Sequence, residues 1–182
     1  GVRLLGPNCI GTLDTHLPLD TTFLQPPMPA QGGIGFISHS GAFAAAIIDW
    51  AREQGFGFSQ IVSLGNQADV NETDVLPEVA KDEYTRVIVL YMESVSDGQK
   101  FVQAASEVTK HKPVIVLKVG RFEAGQKAAA SHTGALAGSE AAFDAAFAKA
   151  GILRADTAEQ MFDWARALEN CPLPHGKRMA IL

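Results

Sequence analysis

The sequence has few cysteines and no long apolar run, and each absence excludes a class of protein. Cys9 and Cys171 lie far apart and show no CxxC spacing. This argues against a disulfide framework or a zinc site and is typical of a reducing cytoplasm. No stretch near eighteen apolar residues occurs, and no charged amino-terminal segment precedes an apolar one. Neither a membrane span nor a signal peptide is therefore predicted.

Clustered positive charge is also missing. Fifteen Lys and Arg residues are scattered among twenty Asp and Glu residues, for a net charge of −5. A nucleic-acid-binding surface needs a basic patch, so a small molecule or another protein is the expected partner. The 182 residues are 47% hydrophobic, which is enough for one compact core with flanking segments.

Short apolar runs alternate with amphipathic segments through most of the chain. The runs are rich in Val and Ile and continuously apolar, as in strands buried on both faces: GIGFIS (33–38), FSQIVSLG (58–65), TRVIVLYME (85–93) and KPVIVLKVG (112–120). Helices are predicted over 41–55, 71–83, 96–112, 138–151 and about 157–169, with Ser96 as the cap of the third. This alternation predicts an α/β fold with a doubly wound parallel sheet, flavodoxin-like, that binds ligands at the carboxyl ends of its strands.

The two ends of the chain are interpreted as flanking pieces. Residues 12–32 hold four of the nine prolines without helical periodicity, which predicts an extended surface connection. The missing initial methionine and the apolar KRMAIL ending favour a piece of a longer chain. We expect residues 1–32 to be a linker and the end of a preceding domain, 33–172 the flavodoxin-like domain, and 173–182 a linker and the first strand of a following domain.

Polar turns follow the first two predicted strands. In SHSGAF, Ser38, Ser40 and Gly41 lead directly into a helix, whose free amides and positive dipole end suit a phosphate. The alternative is that Ser40 only caps the helix, which is the more common role. In SLGNQADVNETD, Asn66 and Asp69 are candidates to line a polar cleft, or belong to an ordinary loop.

Glu93 and His132 are the candidates for chemistry. Glu93 directly follows the third apolar run, where a carboxylate can accept an imidazole N–H; the alternative is a solvated strand end. His132 lies in AAASHTGALAG (128–138), within a loop too long for a plain connection. A neutral imidazole can act as a nucleophile and carry a phosphoryl group, whereas the alternative is a surface histidine. Among the other histidines, only His39 is a serious rival.

Six segments of the chain form a specific series: LLGPNCIG, GFISHSGAF, SLGNQADVNETD, VIVLYMESVSDG, KPVIVLKVGR and AAASHTGALAG. In this order and at these intervals, they resemble the central flavodoxin-like domain of the ADP-forming (NDP-forming) acyl-CoA synthetases, relatives of succinyl-CoA ligase. The resemblance covers residues 1–172, and the SHTG loop together with GPNC makes it specific.

The resemblance implies a reversible, Mg²⁺-dependent reaction in which acyl-CoA, ADP and phosphate give the free acid, CoA and ATP. It passes through an acyl phosphate and a phosphohistidine. His132 matches the phosphorylated histidine, and Glu93 matches the acidic residue that orients it. The implied phosphate-binding residues are Ser38, Ser40, Gly41, Ser131, Thr133 and Gly134, and the implied cofactor-binding residues are Asn8, Cys9 and Asn66. No metal ligand is assigned.

The resemblance also implies partners and an alternative. The complete enzyme of this family has CoA-binding and ATP-grasp domains or subunits and a small carboxylic acid substrate, and an oligomeric assembly is compatible with it. This chain alone is therefore expected to be inactive. The alternative is a regulatory, synthetase-like domain of a protein lysine acetyltransferase. Because the loop histidine is often lost in such regulators, the presence of His132 favours the catalytic interpretation.

Overall fold

Strands and helices alternate through the residues that a computed structural model describes, which are 1–119, 140–173 and 176. The strands are β1 (Thr12–Asp14), β2 (Leu19–Asp20), β3 (Gln31–Ser38), β4 (Phe58–Ser63), β5 (Val87–Met92), β6 (Val114–Lys118) and β7 (Leu153–Ala155). The helices are α1 (Gly41–Gln54), α2 (Glu72–Lys81), α3 (Gly98–Val108), α4 (Glu140–Ala150) and α5 (Ala158–Asn170).

The described strands form one sheet in the order β2-β1-β4-β3-β5-β6-β7. Strands β3 to β7 pair in parallel, and their order is that of flavodoxin-like folds. The chain runs outward from β3 to β4 on one side and returns to β5 on the other side of β3. The predicted fold class is confirmed, and a crevice is expected at the carboxyl ends of β3 and β5, where the winding direction reverses.

The sheet is apolar on both faces because each central strand supplies two cores. In β5, Val87 and Val89 face a core shared with α1 and α5, whereas Ile88 and Leu90 face a core shared with α2, α3 and α4. This two-sided burial explains why β5 and β6 are continuously apolar in the sequence rather than alternating.

Residues 12–20 correct one prediction. They form β1 and β2, which extend the sheet antiparallel beyond β4, with Leu13 paired to Ile61 and only 3% exposed. The prediction of a plain surface connection is therefore wrong for this part of 12–32. Strands of two or three residues are too short for a period of two to be recognised, which also explains why β7 was missed. The division into domains stays a prediction.

Helix α3 corrects a second, smaller prediction. Its cap is Asp97, whose side chain accepts the backbone N–H of Lys100 at 3.1 Å, so the assignment of Ser96 as cap is wrong by one residue. Asp is as good a cap as Ser, and a sequence with both in succession does not distinguish them. The predicted ends of α1 are confirmed, with Ser40 as its cap and Gly55 at φ 71° after its last turn.

Candidate functional site

A cleft of about 900 Å³ opens at the carboxyl ends of β3, β4 and β5, where the fold predicts a ligand. Four segments form most of its wall, and Phe23 and Leu24 add an apolar edge. The cleft brings together seven residues that the sequence singled out: Asn8, Cys9, His39, Ser40, Gly41, Asn66 and Glu93.

The turn into α1 forms one side of the cleft. The Ser40 hydroxyl accepts the backbone N–H of Phe43 at 3.2 Å, so Ser40 does cap the helix. The amides of Gly41 and Ala42 stand in the first turn, where a helix offers no partner of its own, and both residues line the cleft. Capping by Ser40 and anion binding by the amides are therefore compatible.

Ser38 has a supporting position in the same turn. Its side chain is fully buried, and its hydroxyl donates to the Ser40 carbonyl at 2.8 Å while accepting the Ser40 N–H at 3.2 Å. These bonds shape the turn ahead of α1. A direct contact between Ser38 and phosphate stays a prediction.

A second side of the cleft is made by two segments that run alongside each other. The GPNC segment and the turn after β4 are joined by the side chains of Asn8 and Asn66, with 3.2 Å between Nδ2 and Oδ1. Cys9 beside them is half-buried with a free thiol. Backbone hydrogen bonds also join the two segments. The N–H groups of Asn66, Ala68 and Val70 donate to the carbonyls of Pro7, Gly6 and Leu4, respectively.

Asp69 joins the same two segments through exposed contacts. Its carboxylate accepts the Arg3 guanidinium at 2.9 Å and the Leu4 backbone N–H at 2.8 Å. The hydrogen bond from Arg3 lowers the pKa of Asp69. Asp69 therefore anchors the amino-terminal segment, whereas Asn66 is the residue of its motif that reaches the cleft.

Gly65 makes the close approach of these segments possible. It has φ +58°, and a Cβ placed there would lie 2.2 Å from the Pro7 carbonyl oxygen. We expect Gly65→Ala to lower the free energy of unfolding by about 1–3 kcal/mol, because both the backbone conformation and the contact are strained. Equilibrium unfolding in urea measures this free energy for the variant and the wild type.

Gly98→Ala is the matched control for that substitution. A Cβ at Gly98 meets nothing within 4 Å, so its effect is expected to stay within about 0.5 kcal/mol. Equal losses for the two variants would contradict the assigned role of Gly65.

Glu93 lies at the third side of the cleft, directly after β5. Its backbone N–H donates to Nδ1 of His39 at 3.2 Å. Burial, followed by the negative charge of Glu93, raises the pKa of Tyr91. The carboxylate thus stands at a half-buried strand end within the cleft, which agrees with the functional interpretation of this position.

His39, which also lines the cleft, forms a buried pair with Glu72. The side chains are 2% and 1% exposed, with 3.4 Å between Nε2 and Oε2. Nδ1 of His39 accepts the Glu93 N–H, whereas Nε2 faces Glu72 without a hydrogen bond. Because the ring is buried and one of its nitrogens is already bonded, His39 is disfavoured as a carrier of a phosphoryl group. Sequence reasoning missed Glu72, because the two residues are 33 positions apart and no local pattern joins them.

Lys118 is another residue that sequence reasoning missed. It ends β6, lies beside Met92 in the sheet register, and is only 4% exposed. Burial lowers the pKa of its amine, which donates to the Val119 carbonyl and lies 4.9 Å from the centre of the Phe143 ring. A charged residue at the end of an apolar strand is the same signal that indicated Glu93.

Several predicted site residues lie outside the described residues. These are Ser131, His132, Thr133 and Gly134. Within the described ranges, no three His, Cys, Asp or Glu side chains converge on a metal site. The helices of those ranges are also too short or too polar to cross a membrane.

Comparisons with known proteins agree on one family. The sequence model of one protein family, the succinyl-CoA ligase-like flavodoxin domain, matches residues 31–168. The alpha subunit of acetate–CoA ligase (ADP-forming) I from Pyrococcus furiosus is 48% identical over 182 residues, covering 100% of this chain and 39% of that subunit. The 4-hydroxybutyrate–CoA ligase (ADP-forming) from Nitrosopumilus maritimus is 45% identical, over 100% of this chain and 26% of that ligase.

A solved structure shows the same fold. It is the dinucleotide-forming acetyl-coenzyme A synthetase 1 from Ca. Korarchaeum cryptofilum, in complex with phosphate and ADP. The TM-score is 0.92 at 44% identity, over 97% of this chain and 38% of that one. The chain therefore spans well under half the length of each of these relatives.

Proposed function

The chain belongs to the family of succinyl-CoA ligase-like flavodoxin domains, and from this premise we propose that it is the phosphohistidine-carrying domain of an ADP-forming acyl-CoA ligase. The observation that carries the proposal is the cleft at the sheet switch point, where Glu93 and the first amides of α1 lie together. A carboxylate and a helix amino terminus are what a phosphorylated imidazole requires, since one binds its ring N–H and the other its oxyanions.

The proposed reaction divides into three transfers. Phosphate displaces CoA from acyl-CoA to give an acyl phosphate and CoA. The His132 imidazole then attacks the phosphorus and releases the carboxylate of the free acid. ADP finally accepts the phosphoryl group from the histidine, which gives ATP and restores the imidazole. Each step exchanges one bond to phosphorus or carbon for another, so no oxidant or reductant is needed.

Glu93 has a defined task in the second and third transfers. Attack through one imidazole nitrogen leaves positive charge on the ring, and a carboxylate that accepts the N–H of the other nitrogen stabilises that charge. The same hydrogen bond selects the tautomer whose free nitrogen faces the phosphorus. The amides of Gly41 and Ala42 are proposed to bind the phosphoryl oxygens, together with Ser40, Ser131, Thr133 and Gly134.

The remaining parts of the reaction are assigned to partners. We propose that CoA-binding and ATP-grasp domains or subunits supply the thioester and the nucleotide, because the chain spans 39% of the Pyrococcus furiosus alpha subunit. Asn8, Cys9 and Asn66 form the cleft wall where a small acyl-CoA would approach. None of the described side chains is assigned to Mg²⁺. We place the enzyme in the cytoplasm, in agreement with the two free cysteines.

The alternative of a regulatory domain in a lysine acetyltransferase is not favoured. The relatives that match this chain at 45% and 48% identity are ADP-forming ligases. A regulator that only binds acyl-CoA also has no need for a nucleophile, whereas this chain has His132 in its SHTG segment.

Labelling with ATP tests the proposal. The full-length protein is incubated with Mg-ATP labelled at the γ-phosphate, and we expect acid-labile, base-stable label on the tryptic peptide 128–149, whose only histidine is His132. ATP labelled at the α-phosphate is the control and should transfer nothing. Added ADP should remove the label as ATP. A protein that binds acyl-CoA but takes up no label would contradict the ligase assignment and support the regulatory one.

A further inference from the structure

The buried pair of His39 and Glu72 has no part in the reaction as proposed above. Both side chains are almost fully buried, and neither Oε1 of Glu72 nor Nε2 of His39 has a hydrogen-bond partner in the described part of the chain. A buried carboxylate is costly unless something compensates for its lost hydration. Here the compensation comes from the His39 ring at 3.4 Å and from the amino-terminal turn of α2, in which Glu72 is the first residue.

The hydrogen bonds of His39 define its tautomer. A backbone N–H can only donate, so Nδ1 of His39 accepts the Glu93 N–H and carries no proton itself. The proton of the neutral ring is therefore on Nε2, which faces Glu72. The side-chain amide of Gln67 lies 3.0 Å from Nδ1 and presents a second donor to it. The ring is thus oriented by two chain segments, the turn after β4 and the residue after β5, besides its own turn after β3.

His39 engages the main chain on both sides of the last residue of β5. Its own backbone N–H donates to the Tyr91 carbonyl at 3.1 Å, which continues the pairing of β3 with β5. Its ring accepts the N–H of Glu93, one residue beyond the end of the strand. A strand end normally leaves such an N–H to water or to a turn, whereas here a buried side chain fixes it.

We propose that His39 is a positioning residue that holds the main chain of Glu93, and thereby its carboxylate, at the cleft, while Glu72 orients the His39 ring. The inference rests on the proposed function, because it assigns the pair a purpose only if the Glu93 carboxylate acts in phosphoryl transfer. A buried ring that is bonded to the main chain of Glu93 supplies the fixed geometry that charge stabilisation in a transition state demands.

Two amide substitutions separate the two contacts of the ring. In His39→Asn the amide oxygen can occupy the place of Nδ1 and accept the Glu93 N–H, whereas in His39→Gln the amide reaches the place of Nε2 and faces Glu72. We expect His39→Gln to slow single-turnover phosphorylation of the full-length protein by about tenfold or more. The ATP concentration that gives half of the maximal phosphorylation rate should be unchanged. His39→Asn should recover most of that rate, to within about threefold of the wild type.

A double-mutant cycle tests whether His39 acts through Glu93. Once Glu93→Gln has removed the carboxylate, adding His39→Gln should cost less than about twofold more, because nothing remains to be positioned. The proposal would be overturned if the rate of the double variant fell by the product of the two single-variant factors. It would also be overturned if His39→Asn and His39→Gln slowed phosphorylation equally.

His16→Gln is the control for general damage. This partly buried histidine lies near the opposite edge of the sheet, where Nε2 is 3.1 Å from the Gly32 carbonyl, and its ring stacks on Tyr84. Its replacement should lower the melting temperature without changing the phosphorylation rate. If the wild type itself takes up no phosphate, the proposed function fails; if the wild type is labelled and the cycle is additive, only the role of His39 fails.

Discussion

Replacement of His132 by Asn in the full-length protein is expected to abolish net ATP formation from acyl-CoA, ADP and phosphate. Asn approximates the size and polarity of the imidazole but has no nucleophilic nitrogen, so the phosphoryl group has no carrier between acyl phosphate and ADP. We expect turnover to fall by more than about 10³-fold and the label on peptide 128–149 to disappear. A coupled ATP assay and peptide mapping measure the two effects.

The control for this substitution is His111→Asn. His111 is an exposed residue after α3, away from the cleft, and its replacement should leave turnover unchanged. Substantial turnover in His132→Asn would mean that another group carries the phosphoryl, or that transfer is direct, and would contradict the assignment of His132.

Replacement of Glu93 by Gln is expected to slow phosphoryl transfer by about 10²-fold or more while the fold is retained. The amide keeps the shape of the side chain, and the backbone N–H still donates to His39, so the cleft wall is preserved. What is lost is the negative charge that stabilises the imidazolium and selects its tautomer. Rapid-quench measurement of protein phosphorylation from Mg-ATP gives the rate, and thermal unfolding checks the fold.

Glu83→Gln serves as the matched control, since Glu83 is an exposed carboxylate before β5, outside the cleft. Its rate should equal that of the wild type. A Glu93→Gln variant that phosphorylates as fast as the wild type would remove Glu93 from the mechanism, and with it the purpose proposed for His39.

The long buried elements could be predicted from the sequence because their patterns are local. Strands β5 and β6 contain continuous apolar runs, β3 and β4 contain shorter ones, and α1 has a cap at Ser40 and ends at Gly55, both of which are recognisable residue types. The short edge strands could not be predicted in this way. Leu13 is buried in the folded chain, where β1 pairs with β4. A three-residue segment has no periodicity from which that burial could be predicted.

The cleft residues illustrate the same division. Ser40, Asn66 and Glu93 each follow a predicted strand, so the strand-end rule predicts that they lie at one edge of the sheet. Asp69 follows the same strand as Asn66, yet it bonds Arg3 and the main chain of the amino-terminal segment. Composition alone did not distinguish the two, because the direction of each side chain depends on how residues 64–70 meet residues 4–8.

By itself, the sequence determined the fold class, the edge of the sheet that forms the cleft, and the family to which the chain belongs, because these follow from local periodicity and from motifs in a specific order. Only the tertiary structure decided which side chains meet. Glu72 faces His39, and His39 holds Glu93, because three elements distant in the chain pack at one place, and the burial that orients such a ring arises only when they have done so.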